Sequence, residues 1–415
     1  MNRLAVVLAA DSAATVTQWT GDRVENRYFK GSNKIFQLSD HHPVGLMVFD
    51  AAEIMRVPWE IVVKTFRAQL GTKVFNTVKE YATEFFAFLE QSSLLFPSSI
   101  QDEVFIDAAR AAGVFLVHRE NYPEDASVRL TQNAEIVQAR QEALDRLPFA
   151  PGLSAELFEE ALARLTAPLA EHIERFRESF GLGFPEDVGL LVKVGVSELF
   201  KQPDKHLNTT GLVFAGFGDH EIFPALTEYK SCGVFCGKHV ALPTTEFAIT
   251  HDVPARLFSF AQTAMSDTFS LGMSEDVYNS ITTTLSEHLG NFARMMIDSS
   301  GGRADAILHL DDIVSQARRE MGSAILEKAQ REHAMPLRRV LGVLPVDEMA
   351  ELAETLINLQ ALKEKVTKSS ETVGGPVDVA IITKAEGLVW VKRKHFFDIG
   401  LNSRYVVRQQ NQLSK

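Results

Sequence analysis

The rhythm of apolar and polar positions along this chain runs through strands, helices, strands, helices and strands again. AVVLAA (5–10) is a short continuous apolar run, as in a strand buried on both faces. A polar hairpin region around Thr20-Gly21-Asp22 follows, then a second extended segment, KIFQL (34–38). His42-Pro43 breaks that segment, and VGLMVF (44–49) predicts a third strand. From Ala51 the spacing turns helical. Ile54, Val57, Ile61, Val62 and Phe66 recur on one face, as do Val78, Tyr81, Ala82, Phe85 and Leu89. Two helices, or one broken helix, are expected up to about Glu90.

Residues 93–206 read as mostly helical and charged, with Leu157, Ala161 and Leu165 forming one stripe of LSAELFEEALARLTAPLAEHIERFRESF (153–180). Strand character returns with GLVFAGFG (211–218), a polar turn at Asp219-His220-Glu221 and an extended stretch, KSCGVFCGKHVAL (230–242). Helical patterns then dominate from about Val253 to Lys368. LPVDEMAELAETLINLQALKE (344–364) is the clearest, with Leu352, Leu356 and Leu359 at core spacing and Asp347 and Glu348 at the positive end of the helix. Gly374-Gly375-Pro376 stops the helices, and VDVAIIT (377–383), a turn at Ala385-Glu386-Gly387 and LVWVKRKHF (388–396) predict a closing hairpin. This order fits an α+β layered sandwich better than repeated βαβ units.

Composition narrows the function classes. The 415 residues are 46% hydrophobic and 23% charged, ordinary values for a globular protein. A net charge of −12 argues against a nucleic-acid binder, which needs clustered Lys and Arg to neutralise phosphates. No apolar stretch approaches the ~20 residues of a membrane helix. Arg3 followed by LAVVLAA has the outline of a signal peptide, but Asp11 interrupts the run and no A-x-A site follows, so a buried strand is the reading. Two cysteines, Cys232 and Cys236, make no disulfide framework, and a reducing, cytoplasmic setting is expected.

Several groupings carry chemistry-bearing residues without organising them. Cys232 and Cys236 lack C-x-x-C spacing and read as buried structural thiols. His41-His42, His251-Asp252 and His309 with Asp311-Asp312 form no metal motif, so neither metal nor cofactor is expected. Lys392-Arg393-Lys394-His395 reads as a solvated edge guarding against strand pairing. NTTG (208–211) has the look of an exposed threonine start, with Thr209 or Thr210 as a minor option.

Four stretches together resemble the proteasome β-subunit and its bacterial relatives. VVLAADSAAT (6–15) resembles the family's first strand and turn, and NKIF (33–36) its second strand. TGLVFAGFGDHEIFPALTEYKSCG (210–233) is similar to its middle hairpin. LPVDEMAELAETLINL followed by GGPVDVAIITKAEG (344–359, 374–387) resembles its last helix, Gly-Gly turn and closing strand. The resemblance implies a four-layer αββα N-terminal-nucleophile (Ntn) hydrolase sandwich. Its core would cover 1–92, 207–273 and 344–398, with helical insertions at 93–206 and 274–343 and a C-terminal tail at 399–415.

The resemblance also implies a chemistry. An N-terminal threonine uses its own amine as general base, a lysine supplies positive charge, and an aspartate holds that lysine. The matching aspartate is Asp11 and the matching lysine Lys34. The plainer alternatives are an Asp11 that orders the turn before Ser12 and a Lys34 at a solvated strand end. The family nucleophile lies sixteen residues before this aspartate, a position six residues upstream of Met1, and mid-chain Thr15 and Thr17 have no free amine. The family's Asp-x-x-Ser-Gly-Gly run reads here Ser370, Glu371, Thr372, Val373, Gly374, Gly375. The expected function is threonine-type amide or peptide hydrolysis by a homo-oligomer acting on a peptide or protein. The alternatives are a catalytically inactive Ntn-fold assembly or binding protein and an amidase for small molecules.

Overall fold

A computed structural model describes residues 1–20, 23–117, 125–180, 188–299, 301, 310–367, 373–395 and 397–413, with backbone alone at 15–20, 23–28, 126, 180, 409 and 411–413. It is a mixed α/β protein with antiparallel sheets. The chain forms two compact units, residues 36–248 and residues 1–35 with 249–415.

The chain opens with β1 (Ala5–Ala10), then a hairpin of β2 (Ala13–Thr20) and β3 (Arg23–Lys30), whose register runs from Ala13↔Lys30 to Thr20↔Arg23. The expected polar turn at Gly21-Asp22 lies outside the described residues.

The 36–248 unit is built on a five-stranded sheet. Its strands are β4 (Ile35–Gln37), β5 (Val44–Asp50), β8 (Thr210–Gly216), β9 (Ala225–Phe235) and β10 (Lys238–Ala248), ordered β10-β9-β8-β5-β4. A small hairpin, β6 (Glu53–Ile54) with β7 (Val57–Pro58), leads into α1 (Trp59–Leu70) and α2 (Val78–Gln91). Helical periodicity places Ile54 and Val57 on a helix, and the structure corrects this. Asp50, Met55 and Arg56 adopt positive φ, and Pro58 holds extended backbone that bars helix before it, so the helix starts at Trp59.

The inner faces of α1 and α2 bury Trp59, Phe66, Tyr81, Phe85 and Leu89 against Leu46 of β5 and Phe214 of β8. Four helices, α3 (Ser98–Val117), α4 (Ala126–Asp145), α5 (Ala155–Phe180) and α6 (Val188–Lys201), fill the stretch between α2 and β8. They form a second apolar cluster with Phe105, Leu165, Leu169, Ile173 and Phe200, joined by Phe235 and Val240 of the β9–β10 hairpin. Gly195 lets α6 approach α3: a Cβ there would lie 2.3 Å from the Ala109 carbonyl oxygen. The stretch KSCGVFCGKHVAL is two strands, not one. Cys236 (φ 52°) and Gly237 (φ 71°) both take the left-handed conformation that a two-residue hairpin turn requires.

The other unit resumes with α7 (Ala264–Leu271), α8 (Glu275–Ser299) and α9 (Leu310–Ala329). A π-helical turn (Gln330–Ala334) and α10 (Met335–Leu341) lead to α11 (Val346–Thr367). The closing hairpin is β11 (Asp378–Thr383) with β12 (Gly387–Lys392), and α12 (Ser403–Leu413) occupies the segment predicted as a tail. This unit's sheet is ordered β1-β11-β12, with α11 packed on β1 and β11, and its register pairs Ala5 with Thr383 and Ala10 with Asp378. Among the described residues no helix is long and apolar enough to cross a membrane.

Candidate functional site

Strand β1 ends at Ala10, and the chain turns at Asp11 and Ser12 before β2. The Asp11 carboxylate orders that turn. Its Oδ2 accepts the Ala13 N–H at 3.0 Å and the Gly374 N–H, also at 3.0 Å. Its Oδ1 accepts the Lys34 ammonium at 2.6 Å. The turn and the lysine are therefore not rival readings, because one carboxylate does both.

Backbone bonds fix the surroundings. Ser12 N–H donates to the Gly374 carbonyl at 3.2 Å, and the Ser12 carbonyl accepts from Gly31 (3.0 Å) and Ser32 (3.1 Å). The Ser12 hydroxyl, fully buried, donates to the Pro376 carbonyl at 2.5 Å and is committed there. Gly375 has φ +81°, and a Cβ on it would sit 3.2 Å from the Lys30 side chain. Three chain segments thus meet: the end of β1, the return from β3 to Lys34, and the Gly-Gly turn before β11.

The pair leaves the cation more accessible than the acid, with the Lys34 side chain 22% exposed and that of Asp11 11%. Among the described residues Asp11 is the only partner of the Lys34 ammonium in an ion pair or hydrogen bond. A held, part-exposed ammonium can stabilise negative charge on a bound group or orient a neighbouring nucleophile.

The remaining candidates fall elsewhere. Thr210 is a buried residue of β8, and its hydroxyl accepts the Trp59 indole N–H at 3.0 Å, so it is no exposed threonine start. Cys232 is buried and Cys236 half-buried at the hairpin turn. Burial pushes the Cys232 thiol up to about 12 and raises that of Cys236 despite nearby Arg164, so neither is an activated thiolate at neutral pH. The Lys392–His395 run is not uniformly solvated. Lys392 pairs with Glu354 at 2.6 Å and Arg393 stacks on Trp390, but Lys394 is bonded by ammonium and backbone N–H to the buried carboxylate of Asp378. No group of three or more His, Cys, Asp and Glu side chains able to hold a metal ion occurs among the described residues. The side chains of Thr15 and Thr17, and residues 309 and 370–372, lie outside the described residues.

The sequence did not point to several polar contacts. One is a Ser–His pair on β9 and β10, with Ser231 Oγ 2.8 Å from His239 Nε2. Both residues are buried, His239 Nδ1 has no hydrogen-bond partner among the described residues, and burial lowers the ring to about 3. A nucleophile–base pair needs access and an orienting third group, and this one has neither. Nearer Asp11, the Gly374 amide and the α11 carboxylate of Glu364 were also missed. The Gly-Gly run was a visible signal for the former.

No protein-family model matches this chain, and no curated protein matches its sequence.

Proposed function

We propose that this protein is a bacterial, cytoplasmic Ntn hydrolase homologue of the proteasome-like type, with the four-layer αββα sandwich as its fold. Its reaction is threonine-type hydrolysis of an amide or peptide bond, with a peptide or protein substrate and a homo-oligomeric enzyme. The observation that carries this reading is the 2.6 Å contact between Asp11 and Lys34, two residues 23 positions apart, with the acid held by two backbone amides. In the reaction Lys34 lies beside the nucleophilic hydroxyl and stabilises the oxygen as it loses its proton, and Asp11 keeps the ammonium in place.

The nucleophile maps ahead of Met1, so the test uses a chain carrying a threonine six residues upstream, exposed as the N-terminal residue. That chain is expected to be labelled at the new threonine by an electrophile directed at N-terminal threonines, and Lys34→Ala is expected to abolish the labelling. Unlabelled, correctly folded protein would sink the hydrolase reading.

One observation favours the second reading, an inactive Ntn-fold assembly or binding protein. Helices α7 and α8 bury none of their side chains, and α8 exposes Val277, Ile281, Phe292, Met295 and Met296. Such exposed apolar side chains suit a contact surface. A monomer in solution at micromolar concentration would count against the assembly role and against the homo-oligomer.

A further inference from the structure

Glu364, near the end of α11, is only 1% exposed. Its Oε2 accepts the Val373 N–H at 3.0 Å, and Oε1 lies 3.5 Å from Gln360 Nε2. Gln360 in turn accepts the Met265 N–H at 3.1 Å, which ties this end of α11 to α7. The amide after Val373 belongs to Gly374, and that amide donates to Asp11. Two consecutive N–H groups therefore point at two carboxylates from different elements. Rigid peptide planes that share an α-carbon cannot reorient independently without changing φ and ψ between them. Fixing the Val373 amide restricts the direction of the Gly374 amide.

From this geometry we infer that Glu364 is a positioning residue for the Asp11–Lys34 pair, acting through the Val373–Gly374 turn. By holding that turn it aims the Gly374 amide at Asp11 Oδ2, so that Oδ1 is the oxygen left to the Lys34 ammonium. The inference rests on reading Asp11 and Lys34 as the functional pair. A hydrogen-bond acceptor at this place suits the task, because a buried amide left without one costs the full desolvation of that group. An acid that merely ended the helix would leave Lys34 indifferent to its removal.

Lysine acetylation of the full chain, resolved residue by residue by mass spectrometry, tests the link, with exposed Lys64 and Lys238 as internal references. Glu364→Ala is expected to speed acetylation of Lys34 by about fivefold relative to those references, the size of a lost hydrogen bond. Glu364→Gln, whose amide oxygen still accepts the Val373 N–H, is expected to return the rate to within about twofold of the parent. A folded Glu364→Ala chain with an unchanged Lys34 rate overturns the proposal, and so does a Gln variant as fast as Ala. Should the Ala variant fail to fold, Glu364→Asp carries the test: its shorter carboxylate must speed Lys34 acetylation, and an unchanged rate refutes the link. None of these readouts depends on hydrolysis. A chain that shows the coupling but labels no threonine would sink the hydrolase reading and leave this one standing.

Discussion

Glu198 in the 36–248 unit and Asp11 in the other unit are both shielded carboxylates that hold a cation, and they hold it differently. Glu198 is 1% exposed and turns both oxygens to side chains. Oε1 takes Arg140 Nε at 2.5 Å, and Oε2 takes Arg140 Nη2 at 2.9 Å and His206 Nε2 at 3.1 Å. Arg140 also reaches Gln202 at 3.1 Å. Burial by itself pushes this carboxyl up, but the bonds from His206 and Arg140 outweigh it and hold the group at about 2. Asp11 gives one oxygen to two backbone amides and only the other to its cation. Glu198 is a closed network that ties α4 to α6. The Lys34 ammonium is gripped from one side and still partly open to solvent. Burial of a charged pair does not by itself mark function, and these two pairs differ in how many bonds hold the cation.

Removing each acid in turn sharpens or breaks that contrast. Glu198→Ala leaves Arg140 without its carboxylate and is expected to cost about 3–5 kcal/mol in urea unfolding. A loss under about 1 kcal/mol would mean that the network is not structural. The same group sets an acid limb. Its folded value of about 2 lies below the ordinary 4.5, so its stabilisation is present above about 4.5 and is lost as pH falls toward 2. The span is worth about 3 kcal/mol, and Glu198→Gln is expected to flatten that part of the stability–pH curve.

Asp11→Ala strands two amides and an ammonium, for an expected loss of about 2–3 kcal/mol by the same measurement. Lys34→Met is expected to stay within about 1 kcal/mol of the parent, because the amides still satisfy one oxygen of Asp11 and solvent can reach the other. If Lys34→Met proved as damaging as Glu198→Ala, Lys34 would be a structural cation like Arg140. The smallest effect belongs to the exposed Lys64–Glu60 pair on α1, where Glu60→Ala is expected to change stability by no more than about 0.5 kcal/mol.

How far the sequence could be read followed how local the information was. β1, β5, β8 and β11 announced themselves as short apolar runs, and α2 by apolar residues three and four apart. α11 forms over the expected stretch, but of Leu352, Leu356 and Leu359 only Leu356 is buried, Leu359 is exposed, and Gln360 and Glu364 are buried instead. Ile54 and Val57 misled because helical spacing over two turns also fits a tight hairpin; the deciding features were Pro58 and three positive φ angles. Cys236-Gly237 misled because a cysteine at positive φ is rare, so the turn lacked its usual Asn or Asp. At the site, Asp11 and Lys34 were selected by resemblance, and the structure brings them within 2.6 Å. Gly374 and Glu364 were not selected, because what joins them to the pair is two successive backbone amides, and no side-chain pattern encodes that.

Taken alone, the sequence determined the alternation of strands and helices, the residue types that carry charge, and the turn at Asp11, whose carboxylate reaches an amide only two residues on. Tertiary structure decided which charges meet. Gly374 lies 363 residues from Asp11 in the chain and Lys34 lies 23, and both reach it only after β11 has paired with β1 and the β2–β3 hairpin has returned the chain to Lys30. A hydrogen bond needs its two atoms near 3 Å and aligned, and only the folded register supplies that.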